Sequence, residues 1–149
     1  MIKIAHRGNI DGPNPSKENH PDYLKKALDL GYDAEVDVWL IDKKFLLGHD
    51  GPQYEISPSF LYNDRFWIHA KNIPAISTLN ASATSGRSHL INCFFHGADD
   101  CVLTSSGWIW TYPGKAIIGP SAIAVMPERV PDWDISKASG ICSDYPNKY

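Results

Sequence analysis

The stretch "YDAEVDVWL", residues 32–40, alternates acidic or aromatic side chains with aliphatic ones. On a β-strand, successive side chains point to opposite faces of the sheet. One face of this strand therefore carries Glu35, Asp37 and Trp39, while the other face is aliphatic. Because an aliphatic face can pack against helices, the pattern predicts a central strand of an α/β fold with two carboxylates on its opposite face.

The segment before this strand predicts a helix. Pro21 suits the first helical turn, and Gly31 is placed to end the helix. A short strand at 3–6 precedes it, so the first forty residues read as strand, helix and strand, which favours parallel pairing. The apolar stripe of the helix consists of Tyr23, Leu24, Ala27 and Leu28.

Alternation and β-branched content predict eight short strands along the chain. A barrel of eight parallel strands with a helix after each typically takes ~250 residues, whereas this chain has 149. We therefore expect a single α/β domain over residues 1–149, a compact TIM-like (β/α) barrel with several helices shortened or missing. Later helices are expected at 57–62 and 73–83, with a turn or two at 130–138. The predicted strands are 3–6, 33–40, 45–48, 66–71, 89–95, 108–111, 122–126 and 140–143.

Composition and charge exclude several classes of partner. Of the residues, 43% are hydrophobic and 21% charged, with a net charge of -3 and a pI of about 6.0. This balance provides no basic field for nucleic acid, and no apolar run approaches the ~20 residues of a membrane span or resembles a signal peptide. Three cysteines without the paired spacing of a zinc site fit a reducing compartment. We expect a cytoplasmic protein without membrane insertion, and the sequence leaves its oligomeric state open.

Three predicted strands end in a histidine with a charged neighbour. A single histidine of this kind is more often structural than functional. Three of them favour an active site, because parallel α/β folds place their sites at the carboxyl ends of the strands. The three pairs are His6 with Arg7, His49 with Asp50, and His69 with Lys71.

Glu35 and Asp37 indicate metal chemistry. Two like charges on one strand face, partly removed from water, raise each other's pKa and are costly to keep ionised unless a cation lies between them. A bound metal ion meets this requirement; the alternative is an edge strand with a solvated acidic face. With the histidines, these groups suit an anionic oxygen ester better than an amide or a sugar. Motifs of serine hydrolases, nucleoside triphosphatases and dinucleotide-binding proteins are absent from the sequence.

The middle of the chain is dense in aromatic residues, in "NCFFHGADD" (92–100) and "GWIWTYPG" (107–114). We interpret these rings as core or barrel filling, with a ligand platform as the alternative. His96, Asp99 and Asp100 are expected in a solvated loop, with a place on the pocket wall as the alternative. The aromatic residues concerned are Phe94, Phe95, Trp108, Trp110 and Tyr112.

Five motifs, in this order, resemble the glycerophosphodiester phosphodiesterase family. The resemblance covers residues 2–72, is weak over 73–139, and returns in a motif like the closing strand of that family. It implies a TIM-like barrel, a fold shared by relatives that cleave phosphoinositides and sphingomyelin. The motifs are "HRG" at 6–8, "EN" at 18–19, "EVDV" at 35–38, "HD" at 49–50 and "GICSDYP" at 140–146.

The resemblance also implies one divalent metal ion, usually magnesium or calcium. Glu35 and Asp37 would be ligands of this ion. Many family members have a third acidic ligand where this chain has His69. Either His69 ligates through nitrogen, which favours manganese, zinc or similar metals, or two carboxylates and water hold the ion.

The same resemblance implies catalytic and substrate-binding roles. His6 and His49 would be the general acid and base. Arg7 would hold a phosphate oxygen, Glu18 would brace the site near the first strand, and Lys71 would add positive charge. The usual insertion after the "HD" strand is missing, so a pocket from the second half of the barrel does not carry over.

We therefore expect a metal-dependent phosphodiesterase of lipid metabolism that hydrolyses a small, soluble glycerophosphodiester-like substrate to a phosphomonoester and an alcohol. The metal would be magnesium or calcium, with manganese as a further candidate. Two alternatives stay open. One is a lyase that forms a cyclic phosphate by intramolecular attack, and the other is a non-catalytic barrel that binds a phosphorylated ligand.

Overall fold

One curled sheet organises the fold. The computed structural model describes residues 1–84 and 90–149, and within them ten strands and two α-helices are present. The helices are Pro21–Asp29 (α1) and Ile73–Thr84 (α2). The strands are Ile2–Ala5 (β1), Asp33–Ile41 (β2), Lys44–Leu47 (β3), Tyr54–Ile56 (β4), Phe66–Ala70 (β5), Asn92–Phe94 (β6), Cys101–Leu103 (β7), Ile109–Thr111 (β8), Ala122–Val125 (β9) and Gly140–Ser143 (β10).

Seven strands run parallel, in the order β6, β5, β2, β1, β10, β9 and β8. The other three strands form antiparallel pairs: β3 pairs with β2, β4 with β3, and β7 with β8. One edge of β2 is shared, because β1 pairs with Asp33 and Ala34 while β3 pairs with residues 38–41. Residues 35–37 lie between these two partners, so this part of the edge is open to other segments.

The predicted TIM-like (β/α) barrel is wrong. In the described part of the chain, only the β1–β2 and β5–β6 connections contain an α-helix, and the sheet is a curled half-barrel of mixed strand direction. Hairpins use up much of the short chain. Prolines interrupt the connections around β9 and remove amide donors that a helix needs. These prolines are Pro113, Pro120, Pro127 and Pro131.

The individual strands and helices agree with the sequence-based prediction better than the overall architecture does. Each of the eight predicted strands overlaps an observed one, although the prediction for β6 begins at His89, outside the described residues. The helix expected at 73–83 is present as α2, whereas 57–62 holds only a 3-10 turn, Pro58–Leu61. A 3-10 turn, Pro127–Arg129, precedes the segment 130–138, which is not helical. The short strands β4 and β7 were not predicted.

Helix α1 forms as its sequence predicts. Pro21 is its first residue, and the His20 ring accepts a hydrogen bond from the Asp22 amide, which caps the free amino end. Leu24 is fully buried against the sheet. After the helix, Gly31 takes a φ of 94°, a backbone region that favours glycine and ends the helix.

The two faces of the sheet are packed differently. The outer face of β2, with Ala34, Val36 and Val38, is buried in one cluster with residues of α1 and α2. Side chains from six parallel strands fill the concave face. There the Trp110 ring lies 5.7 Å from Trp67 and 4.8 Å from Phe94.

The aromatic residues of the middle segment divide into two groups. Phe94 and Trp110 are buried in the concave cluster, as predicted, and Trp108 and Tyr112 pack against it while partly exposed. The prediction was wrong for Phe95, which is 39% exposed. Among the described helices, none combines the length and apolar character needed to cross a membrane.

Leu24 tests the packing of α1. We expect Leu24→Ala to lower the free energy of unfolding by about 2–5 kcal/mol, because it leaves a cavity under the helix. Urea unfolding followed by circular dichroism measures this change. The control is Leu30→Ala at the end of the same helix, where the side chain is 58% exposed; its effect should stay within about 0.5 kcal/mol. Equal effects of both substitutions would contradict the packing described.

Candidate active site

Two neighbouring parallel strands place the central groups of the site. On β2, Glu35 is 3% exposed and Asp37 is fully buried, and both face away from the helices, as the alternation predicts. On β5, Trp67 pairs in register with Glu35, and His69 pairs with Asp37. The strand pairing therefore brings an imidazole directly beside the second carboxylate.

Five side chains surround the carboxylate of Asp37. Burial alone would raise the pKa of this carboxyl, but hydrogen bonds from His49 and His69 and the charge of Lys71 hold it well below its ordinary value. Asp37 is thus ionised. The contacts are Asn19 Nδ2 (2.9 Å), His49 Nδ1 (3.1 Å) and Arg7 Nε (3.3 Å) on Oδ2, and His69 Nδ1 (3.0 Å) and Lys71 Nζ (3.5 Å) on Oδ1.

Glu35 is in the opposite situation. Burial, reinforced by the charge of Asp37, raises its pKa to about 7. The Arg7 amide donates to its Oε2 at 3.1 Å. The nearest imidazole nitrogens are more distant, because His6 Nε2 and His69 Nδ1 each lie 3.9 Å from a carboxylate oxygen. Glu35 is therefore a buried carboxyl with weak charge compensation.

His6 forms a hydrogen-bonded pair with a carboxylate. Its Nδ1 lies 2.8 Å from Asp144 Oδ1, which also accepts from Asn9 Nδ2 at 2.9 Å. Burial would raise the pKa of Asp144, but the hydrogen bond and charge of His6 lower it, so Asp144 is an ionised acceptor and His6 Nδ1 carries the proton. Burial lowers the pKa of His6 itself, but the hydrogen bond to Asp144 and the charges of Glu35 and Asp144 together outweigh burial and raise it.

Asp144 was missed as a site residue. It directly follows β10, within the "GICSDYP" segment, and it meets His6 because β10 and β1 are parallel neighbours. The signal that could have identified it is its position, since the carboxyl ends of adjacent parallel strands meet at one edge of a sheet.

His69 belongs to a row of stacked rings. Its ring lies 5.2 Å from Phe94 and 4.8 Å from His96, and the His96 ring lies 4.4 Å from Tyr112. Burial lowers the pKa of His69. The expected solvated loop is thus wrong for His96, which joins the wall of the site, whereas Asp99 and Asp100 are exposed.

Arg7 is held in place from two sides. Its Nη1 donates to Glu18 Oε2 at 3.0 Å, and its Nε lies 3.3 Å from Asp37. Asn9 Nδ2 donates to the other Glu18 oxygen at 2.9 Å. The backbone of Arg7 has a φ of 53° and that of Gly8 a φ of 88°, so this turn bends sharply enough to point the Arg7 amide at Glu35.

These groups enclose a cavity of about 150 Å³ at the carboxyl ends of the strands. Six of the predicted site residues line it: His6, Arg7, Glu35, Asp37, His49 and His69. Glu18 and Lys71 do not, and in the described chain they contact lining residues instead, Glu18 through Arg7 and Lys71 through Asp37 and His49. His96, for which the pocket wall was the alternative, also lines the cavity, and so do Tyr112 and Arg129, which were not predicted as site residues.

The donor set fits a divalent metal ion. Glu35, Asp37 and His69 each offer one ligand atom, and these atoms lie within 4.8 Å of one another. The two carboxylates suit magnesium, calcium or manganese, and the imidazole, where it ligates, shifts the preference toward manganese, zinc or similar ions. The weakly compensated charge of buried Glu35 is where an added cation would have most effect.

Comparison with known proteins adds no assignment: no protein-family model matches the chain, and no similar curated protein is found. The resemblance to phosphodiesterases therefore rests on the short motifs alone.

Glu35 predicts a specific pH dependence of stability. Its pKa is 4.5 in an exposed carboxyl and about 7 in the folded protein, so the folded state binds this proton more tightly and loses stability as pH rises between these values. In metal-free buffer, Glu35→Gln should be no more stable than the parent at pH 4.5. At pH 8 it should be more stable, by on the order of 3 kcal/mol.

Urea unfolding in EDTA at both pH values measures this difference. The matched control is Glu55→Gln, which removes an exposed carboxylate paired with Lys44 on the surface. If Glu35→Gln changes the free energy of unfolding by the same amount at pH 4.5 and at pH 8, burial does not raise the pKa of Glu35, and the prediction is wrong.

Proposed function

We propose that the protein is a metal-dependent phosphodiesterase, which hydrolyses a small glycerophosphodiester-like substrate to a phosphomonoester and an alcohol. One observation carries the proposal. His6 and His49 line the same cavity as Glu35 and Asp37, and each histidine has its Nδ1 against a buried carboxylate.

The two histidines are arranged for proton transfer. A carboxylate on Nδ1 holds the proton there and leaves Nε2 to exchange a proton with substrate. Asp144 plays this part for His6, and Asp37 plays it for His49. The raised pKa of His6 suits the general acid, which protonates the leaving oxygen, and His49 is then the base that takes a proton from the attacking water.

Glu35, Asp37 and His69 are the proposed metal ligands, for magnesium or calcium, with manganese as a further candidate. When bound, the ion would neutralise charge on the phosphodiester and polarise it. His69 Nδ1 donates to Asp37 Oδ1 at 3.0 Å, so ligation of an ion through this nitrogen would replace that hydrogen bond. Binding would also supply the cation that Glu35 lacks.

Arg7 and Lys71 supply fixed positive charge. Arg7 lines the cavity, and its Nε is held 3.3 Å from Asp37, which places its positive charge where a phosphate oxygen would enter. Lys71 Nζ lies 3.5 Å from Asp37, where its charge helps to keep that carboxylate ionised. Glu18 supports the site through Arg7.

The size of the cavity limits the substrate. Its 150 Å³ is below the roughly 300–1,000 Å³ that encloses a drug-sized ligand. The cavity therefore suits a phosphate with a short alcohol on either side, and a longer substituent would have to extend out of it.

Turnover of defined phosphodiesters tests the proposal. Phosphorus NMR should show glycerophosphodiesters converted to monoesters when magnesium, calcium or manganese is present. His6→Asn and His49→Asn should each lower kcat by about 10²–10⁴-fold, because asparagine can replace Nδ1 as a donor but has no counterpart of Nε2.

The control for these variants is His20→Asn, which alters a histidine outside the cavity and keeps a residue suited to capping α1. Its turnover should match that of the parent. A cyclic phosphate product would identify a lyase instead. Substrate binding without turnover under any of the three metals would identify a non-catalytic binding protein.

Metal binding has a separate readout. After treatment with EDTA, magnesium or manganese at 100 times its Kd should raise the Tm at pH 8 by roughly 5–10 °C. Glu35→Gln should lose most of this rise, whereas Glu55→Gln should keep it. A Tm that no divalent metal changes would contradict the proposed metal site.

A further inference from the structure

Two donor side chains on one wall of the cavity have no role in the chemistry described so far. Tyr112 directly follows β8, and Arg129 ends the 3-10 turn Pro127–Arg129 that follows β9. Because β8 and β9 are parallel neighbours, their carboxyl ends lie side by side. Both residues line the cavity.

The hydroxyl of Tyr112 is buried without a hydrogen-bond partner in the described chain. A buried polar group without a partner is unfavourable, and its presence in a native structure calls for an explanation. The Tyr112 ring packs 4.4 Å from the ring of His96, and this contact holds the side chain in the orientation that buries the hydroxyl. A ligand oxygen in the cavity would satisfy it.

Arg129 is the second donor. Unlike Arg7, which lies against Glu18 and Asp37, the Arg129 guanidinium forms no hydrogen bond or ion pair with residues 1–84 or 90–149. It is exposed, at the mouth of the cavity. Its charge acts on Asp144 without direct contact and helps to lower the pKa of that carboxyl, so the donors of the guanidinium stay available to a ligand, whereas Arg7 is in contact with two carboxylates.

The turn that carries Arg129 is tied to the catalytic histidine. The neighbouring Glu128 accepts a hydrogen bond from the Asp144 amide at 2.8 Å, and Asp144 in turn holds His6. The Met126 amide donates to the Cys142 carbonyl at 2.7 Å, which anchors the start of the turn on β10. These bonds fix the backbone from which Arg129 extends relative to His6.

We propose that Tyr112 Oη and the Arg129 guanidinium bind the anionic oxygens of the substrate phosphate and form the anion-binding wall of the cavity. A guanidinium can donate two parallel hydrogen bonds to a phosphate, and the hydroxyl donates a third. The proposal rests on the proposed function for its choice of a phosphate ester. Tyr112 and Arg129 both lie in residues 73–139, where the resemblance to phosphodiesterases is weak. Recognition of the phosphate would thus fall to this segment.

Inorganic phosphate is the probe, because it tests the wall without turnover. Calorimetric titration of the magnesium-loaded protein should give a measurable Kd. Arg129→Gln and Tyr112→Phe should each raise this Kd by about tenfold or more, and Arg129→Lys should restore part of the loss. Tyr112→Phe should not lower the Tm, since it removes a polar atom without a partner.

The control is Lys137→Gln, which removes an exposed cation that does not line the cavity. It should leave the Kd unchanged. In turnover assays, Arg129→Gln should raise KM for a phosphodiester by a similar factor with a smaller change in kcat.

The two proposals fail in different ways. If no phosphodiester is cleaved but phosphate binds and both variants weaken it, the anion-binding wall stands and the proposed function fails. If the protein cleaves phosphodiesters while Arg129→Gln and Tyr112→Phe leave the Kd and KM unchanged, the wall is wrong. Absence of phosphate binding by the parent protein would also overturn it.

Discussion

The carboxylate of Asp37 is fully buried and ionised, and the surrounding segments are arranged to compensate this buried charge. A buried charge costs several kcal/mol unless charged or hydrogen-bonding partners compensate it. No single element of this chain provides those partners. They come from the turn after β1, from Asn19 just before α1, from the residues after β3 and from strand β5. These segments therefore have to meet at β2. The open stretch on the edge of β2, between β1 and β3, is the space into which Arg7 and Asn19 insert.

A half-barrel is sufficient for such a site. The groups that line the cavity come from the middle of β2, from the carboxyl ends of β1, β3, β5, β6, β8 and β9 and from short segments after them, and none of them requires a helix after every strand. On the outer face, α1 and α2 cover the strands that carry Glu35, Asp37 and His69, whereas irregular segments with Trp133 and Ile135 cover β9 and β10. The protein thus keeps helical support where charges are buried. Elsewhere, turns and irregular segments connect the strands.

Local patterns explain what could be predicted from the sequence. Alternation along β2 and β5 placed Glu35, Asp37 and His69 on one face, and the apolar stripe with Pro21 and Gly31 located α1, because these signals involve neighbouring residues only. Contacts between distant segments leave no such signal. Through the curl of the sheet, Tyr112 and Arg129 reach the cavity and Asp144 reaches His6, and the 3-10 turn at 127–129 has no periodicity to reveal it. The barrel was mispredicted because strand count and strand order do not state whether the connections hold helices. The function inferred from the motifs stays a prediction.

The hydrogen bond between His6 and Asp144 joins residues 138 positions apart. Contacts of such long sequence separation close late, because the loop they close loses much conformational entropy before any contact repays it. During synthesis, the segment with His6 leaves the ribosome long before Asp144 is made. A chain that has not yet reached β10 holds His6 without its carboxylate, and β1 without one of its two partner strands. The first and the last strand thus complete the sheet and the histidine pair in the same event.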